Sequence, residues 1–332
     1  MTIRSAILSV AFLAAAIVPG MANDSTAEIG AGGLVLAQTR DIAMESEILY
    51  ISMDEVRVDY VFRNRSDHDV ETVVAFPMPD LEVSPYWEVA IPNFEDNFLG
   101  FTVTVDGTAI RPELQQRAMV AGVDVTDRVI AAGLPVAPIG AYQGLDVAHL
   151  SDDALRDLET WGIVTIEGDL GSAERPMVVA AWTLKSAYWW RMTFPVGREV
   201  AVEHRYTPAV GGAAGTYVLG DGTRTEPHPY YADKYCVDSG FMSAVRKRAA
   251  TETDDGGHYS ERWLSYVLST GANWLGPIGS FRLIVDKGST DNLVSFCGEG
   301  VTKTGPTTFE MDLDGFVPER DLDLLFIVAP EG

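Results

Sequence analysis

The chain has 332 residues, 47% of them hydrophobic, which is enough for one large packed domain or two ordinary ones and excludes global disorder. Forty-eight acidic residues against 24 basic ones give a formal charge of −24, a field that repels nucleic-acid phosphates and anionic lipid headgroups. The acids are scattered rather than run together, so solubility is their plainest role.

The first residues read as a secretory leader. Arg4 supplies a positive start, Ala6 to Val18 an apolar stretch, and Pro19-Gly20 a helix break. Gly20-Met21-Ala22 then offers small residues where a signal peptidase inspects them. Cleavage after Ala22 would make Asn23 the first mature residue, giving a signal peptide over 1–22 and a periplasmic or secreted protein. The apolar stretch is too short for a membrane span, which needs roughly 20 residues, and no later run approaches that length. Stable membrane insertion is therefore not expected. Cys236 and Cys297 are the only cysteines; in an exported chain such a pair reads as a disulfide, and no CxxC motif suggests redox chemistry.

The region 23–110 is written in strands. Gly30, Gly32 and Gly33 read as a flexible lead-in rather than a dinucleotide loop, because no strand precedes them. Ile42 to Ile51 leads through a Ser52–Glu55 hairpin into Val56, Val58, Tyr60 and Phe62, which alternate with polar residues. Asn64 to Asp69 is turn chemistry, and Val70 to Phe76 is a third strand closed by Pro77 and Pro79. Phe101 to Val105 runs into Asp106-Gly107, a hairpin signal. Over 111–175 the pattern becomes that of a helical insertion. A helix is expected from Thr126 to Ala132, and another after Ser151, with Asp152 and Asp153 in its first turn and Leu155, Leu158 and Trp161 on one face. Strands return over 176–210, from Trp182 to Phe194 and from Val200 to Tyr206; 211–229, rich in Gly, Thr and Pro, reads as a linker. The region 230–332 forms a C-terminal β lobe with strands at Leu264–Ser269, Phe281–Val285, Leu293–Phe296, Thr308–Leu313 and Leu322–Val328, and a short helix near Phe241–Ala249. The expected class is mainly β: antiparallel β-sandwich lobes with a helical insertion.

Together, NDSTAEIGAGGLVL, VDYVFRNRSDHDVETVVAFPMPD, SYVLSTGANWLGPIGSFRLIVDKG and VSFCGEG resemble a group of exported bacterial proteins, the domain of unknown function numbered 4424. The likeness runs over nearly the whole mature chain. It implies an extracytoplasmic place in a Gram-negative bacterium and carries no activity and no functional residues. The stretch VRVDYVFRNRSDHDVETVVAFPMP is also similar to the opening strands of vault/inter-alpha-trypsin domains, a short pattern in keeping with a β fold.

No nucleophile elbow, HExxH helix or Walker loop occurs, and no cofactor is expected. The five histidines are dispersed, which suits ordinary turn or surface roles better than a metal centre. Glu310, Asp312, Asp314 and Gly315 have the spacing of a calcium loop, but their flanks read as a strand ending in an Asp-Gly turn. Asp254 to Gly257 reads as a solvated loop. Aromatic residues in polar settings are the more distinctive feature. Trp189 lies on the polar face of its strand beside Arg191, Tyr86 and Trp87 sit in a Pro-flanked loop, Tyr230 and Tyr231 follow Pro229, and Trp274 ends a Gly-containing loop. A Trp or Tyr next to Arg can stack on a sugar ring or anchor a protein. Trp189, Arg191 and Trp87 are the expected binding residues, and the expected role is a non-enzymatic binding or scaffolding module for an envelope protein or a glycan. The alternative is an envelope hydrolase acting through paired carboxylates, which 48 scattered acids do little to specify. An outer-membrane barrel fits poorly with the helical stretch.

Overall fold

The computed structural model describes residues 23–30, 33–82, 88–90, 97–138, 144–172, 176–220, 224–251 and 258–330. The leader, the Tyr86-Trp87 loop and the Asp254–Gly257 loop named above lie outside the described residues.

Alternation settles the central strands. Val56–Asn64 buries Val56, Val58, Tyr60 and Phe62 on one side and turns Arg57, Asp59 and Arg63 outward. Its hairpin with Ile42–Ile51 closes where Ser52 N donates to Glu55 O at 2.9 Å. The preceding strand changes parity: Ile42 and Met44 are buried, the register slips between Met44 and Ser46, and Glu47, Leu49 and Ile51 are the buried set after it. That bulge carries a carboxylate into the core.

These two strands are the middle of an eight-stranded sheet ordered Thr302–Lys303, Thr308–Phe316, Ile278–Asp286, Ile42–Ile51, Val56–Asn64, Glu199–Tyr206, Thr102–Val105 and Thr108–Ile110. Neighbours are antiparallel except Ile278–Asp286 beside Ile42–Ile51, which run parallel, so strands from both ends of the chain share one sheet. A second sheet runs Val123–Asp124, Glu113–Val120, Thr183–Phe194, Val70–Pro77, Ser25–Gly30 and Gly33–Ala37, with Leu81–Glu82 also pairing with Thr183–Phe194. A third runs Leu293–Phe296, Leu322–Val328, Ser260–Tyr266, Val210–Ala213 and Glu88–Ala90. One large core joins all three: Phe62, Val202 and Leu283 from the first, Phe76 and Trp190 from the second, Tyr266 and Phe326 from the third. The fold is mainly β, as expected.

The insertion is only partly helical. Thr126–Ala131 (α1) and Asp152–Thr160 (α2) are present, and Ser151 Oγ caps α2 by accepting from Ala154 N at 3.3 Å. With the hairpin Val164–Glu167 and Met177–Ala180 they enclose a second core of Val129, Leu155, Leu158 and Trp182. Glu113–Val120, however, is a strand, in register with Thr183–Phe194 from Glu113 opposite Trp189 to Met119 opposite Thr183. Two glutamines dilute its alternation, which hid it. Trp161 is not on the buried face of α2. It caps the helix, 46% exposed, with the Arg128 guanidinium 3.7 Å over its ring.

Within 211–229, Val210–Ala213 is a paired strand and Val218 and Leu219 of a short 3-10 turn are buried. Pro229–Tyr235 (α3) follows, then Ser239–Ala249 (α4), capped by Asp238 accepting from Phe241 N at 2.7 Å. Cys236 ends α3 in the left-handed region, φ 53°, and forms the expected disulfide with Cys297, 61 residues away. The glycine-rich start is no flexible lead-in: Ser25–Gly30 and Gly33–Ala37 pair as a hairpin with Gly30 opposite Gly33.

Candidate functional site

A cleft of about 790 Å³ opens at the seam of the sheets. Three stretches of chain between strands build it. Met78 to Leu81 leave the strand Val70–Pro77, and Phe98-Leu99 precede Thr102–Val105. Tyr206, Pro208 and Ala209 pass from the eight-stranded to the five-stranded sheet. The floor is apolar and buried, with Met78, Phe98, Leu99, Tyr206 and Tyr235. Tyr217 and Tyr230 stand at its rim, 62% and 53% exposed, and Tyr231 and Trp263 form a wall. Trp263 lies against backbone: a Cβ on Gly211 would sit 2.0 Å from its indole Nε1, so only glycine leaves room for the ring.

The polar groups of the cleft are mostly cationic or neutral. Arg224, His228 and Lys234 line it, against Asp80 as the one carboxylate among the described lining residues. Asp80 is taken by Lys185, 2.6 Å away. Lys234 Nζ is 3.7 Å from Asp323 and lies over the rings of Tyr230 and Tyr235, at 5.7 and 5.5 Å. Behind the wall, buried Glu261 accepts from Tyr231 OH at 2.9 Å and from Val218 N. Burial raises its pKa against those two hydrogen bonds, which lower it. Burial likewise pushes the phenols of Tyr206, Tyr231 and Tyr235 up, so they stay neutral donors.

α3 carries four of these residues, and its position is fixed from several sides. His228 Nδ1 caps its start by accepting from Tyr230 N at 3.1 Å. The disulfide ties its end to Cys297, Ser295 Oγ donates to Tyr235 O at 2.9 Å, and Arg320 donates to Asp233 O and Lys234 O at 2.8 and 3.2 Å. A short helix has little stability of its own, so these ties hold the aromatic wall.

Sequence reasoning named only part of this. Tyr230 and Tyr231 are in the cleft, but Trp189 and Arg191 are not among its described lining residues, and Trp87 lies outside the described residues. Trp189 is half-buried: the hairpin strand Ser25–Gly30 pairs with Val70–Pro77 only as far as Ala27, and Leu34 and Leu36 of its partner strand pack with Trp189, Val73 and Ala75, Leu34 N donating to Gln115 Oε1 at 3.2 Å. Arg191 beside it is exposed. Trp274 is not a surface aromatic either; it is 3% exposed and donates from Nε1 to Asp24 O at 2.6 Å. Glu310, Asp312 and Asp314 lie along a strand, the first two near Arg282. Trp263 and the Arg224–Lys234 pair were missed because no local spacing marks residues that meet only through long-range packing.

His204 also departs from its expected surface role. It is fully buried among Tyr60, Phe76, Phe101 and Trp190, with Nε2 3.5 Å from Asp24 Oδ2. Although charges of opposite sign could pair there, burial lowers the imidazole pKa to about 3 and raises that of Asp24, so burial works against charge on both.

These features define a mainly β protein with one aromatic, cation-bearing cleft walled by a disulfide-anchored helix. The chain belongs to the family described as domain of unknown function (DUF4424), whose pattern matches residues 22–325. None of the curated proteins matches it. Among solved structures it is similar to that of a "putative nutrient binding protein" from Legionella pneumophila, at 16% identity and a TM-score of 0.42, covering 93% of this chain and 71% of that one.

Proposed function

We propose that this chain is an extracytoplasmic binding protein whose cleft takes a small organic anion with a ring or apolar body. The observation that carries the reading is the pairing of an aromatic-lined cavity of about 790 Å³ with Arg224 and Lys234, in a protein of formal charge −24. Stacking on Tyr217, Tyr230 and Trp263 suits the body of such a ligand, and the cations suit its carboxylate, sulfonate or phosphate. The leader-like start and the disulfide between the only two cysteines support an oxidising compartment, the periplasm. A hydrolase acting through two facing carboxylates finds less support, since Asp80 is the one carboxylate among the described lining residues and Lys185 holds it.

The test is calorimetric titration with benzoate, phenylacetate and a sugar acid, each against its neutral amide. We expect the anions to bind and the amides to bind roughly 10- to 100-fold more weakly, the worth of a charge-assisted hydrogen bond. Lys234→Met with Arg224→Gln should erase that difference. Equal binding of anion and amide, or no binding of either set, would count against the proposal.

A further inference from the structure

Deep in the common core, a set of polar groups surrounds Asn23. Asn23, Asp24 and Ser25 are fully buried, as are Glu47 and His204. Asn23 N donates to Thr270 Oγ1 at 2.6 Å, and the Thr270 hydroxyl donates back to Asn23 O at 2.7 Å. The Asn23 side chain donates to Glu47 Oε2 at 3.1 Å and accepts from Asp24 N at 2.9 Å and from Tyr60 OH, itself 3.1 Å from Tyr266 OH. Gly271 makes room: a Cβ there would come within 2.8 Å of Asn23 Nδ2.

This cradle is rich in acceptors and short of cations. Both carboxylate oxygens of Asp24 and Glu47 Oε1 have no hydrogen bond among the described residues. The groups facing them are neutral: Tyr60 from Val56–Asn64, His204 from Glu199–Tyr206, Tyr266 from Ser260–Tyr266, and Thr270 and Trp274 from the 3-10 turn and its end. A carboxylate buried without a cation costs several kcal/mol and takes up a proton instead. Burial accordingly raises both carboxyls, Glu47 to about 8.

We infer that the cradle of Glu47, Asp24 and Thr270 is a binding site for the chain's own α-ammonium, released when the leader is cut between Ala22 and Asn23. The inference rests on that cleavage position. Hydrolysis of the Ala22–Asn23 peptide bond leaves the carboxylate on Ala22 and turns the Asn23 amide into an ammonium with three donors. One donor keeps Thr270 Oγ1, and the others serve the unbonded carboxylate oxygens. Processing then completes the core, and a chain with any residue before Asn23 holds an amide where a cation belongs.

The test compares chains starting at Asn23, or at Ala22 ahead of it, each with native Glu47 and with Glu47→Gln. They are released from a cleavable fusion, refolded oxidised, and unfolded in urea at pH 7.5. The Asn23 start should have the higher midpoint, and Glu47→Gln should lower it in that chain while leaving unchanged or raising it in the extended one. Equal midpoints, or the same effect of Glu47→Gln in both, would overturn the inference, even if one variant is poorly stable. The intact mass of the exported protein tests the cleavage reading separately: a first residue other than Asn23 overturns that reading, and with it the ammonium's occurrence in the cell.

Discussion

At the scale of single residues, burial decides which charges this protein tolerates. Glu47 binds a proton up to about pH 8 when folded but only to about 4.5 when unfolded, so in an unprocessed chain its contribution to stability is lost as pH rises across that interval. His204 works in reverse: folded it stays neutral down to about pH 3, unfolded it charges near 6.5, so stability is lost as pH falls from 6.5 toward 3. The two oppose each other between 4.5 and 6.5, and Asp24, raised by the same burial, adds to the loss on the alkaline side. The urea midpoint of a chain extended before Asn23 should therefore fall above pH 6.5 and, where Asp24 is protonated folded and unfolded alike, below 3.8. Glu47→Gln should shrink the upper limb and His204→Phe remove the lower, whereas a flat wild-type profile from 6.5 to 8 would contradict this reading of the core. Gly211→Ala acts in the cleft. Its methyl would meet the Trp263 indole, so the ring must move off its wall. We expect weaker binding of an aromatic anion with a midpoint loss no larger than the roughly 1–3 kcal/mol of an overpacked site, measured by titration and urea unfolding on the same sample.

At the scale of elements, the disulfide and α3 are one device. Closing 61 residues of chain stabilises the fold by about 4 kcal/mol on the loop-entropy view, and the same bond holds the end of the aromatic wall. Replacing both cysteines by Ser should cost roughly 2–4 kcal/mol and weaken anion binding more than it weakens the core. Hydrogen exchange should show α3 opening first, and an α3 as protected as the central strands would argue against its anchoring role. Elements with a clear local signal were legible from sequence: the alternating Val56–Asn64 and Thr183–Phe194, the apolar runs Leu293–Phe296 and Leu322–Val328, and the Ser151-capped helix. Glu113–Val120 was not, because Gln115 and Gln116 blur its two faces at the edge of a helical region. The burial of Glu47 was legible in principle, since Ile42 and Met44 disagree in parity with Leu49 and Ile51 and such a switch requires a bulge. His204 shares parity with Val200, Val202 and Tyr206, a signal of burial that its reading as a surface histidine passed over.

At the scale of the whole molecule, strands from the two ends of the chain meet in one sheet, at the parallel pair Ile42–Ile51 and Ile278–Asp286. The cleft exists only because segments on both sides of the insertion cross there, so no local motif could announce it. Such topology also makes folding depend on late, long-range pairing. The most direct measurement is native mass spectrometry of the tagged protein taken from its native host, beside Lys234→Met with Arg224→Gln. We expect the wild-type protein to carry one small acidic molecule of defined mass, released on denaturation and absent from the double variant. A wild-type protein that carries no small molecule, or a molecule retained equally by the variant, would contradict a cleft built for an organic anion.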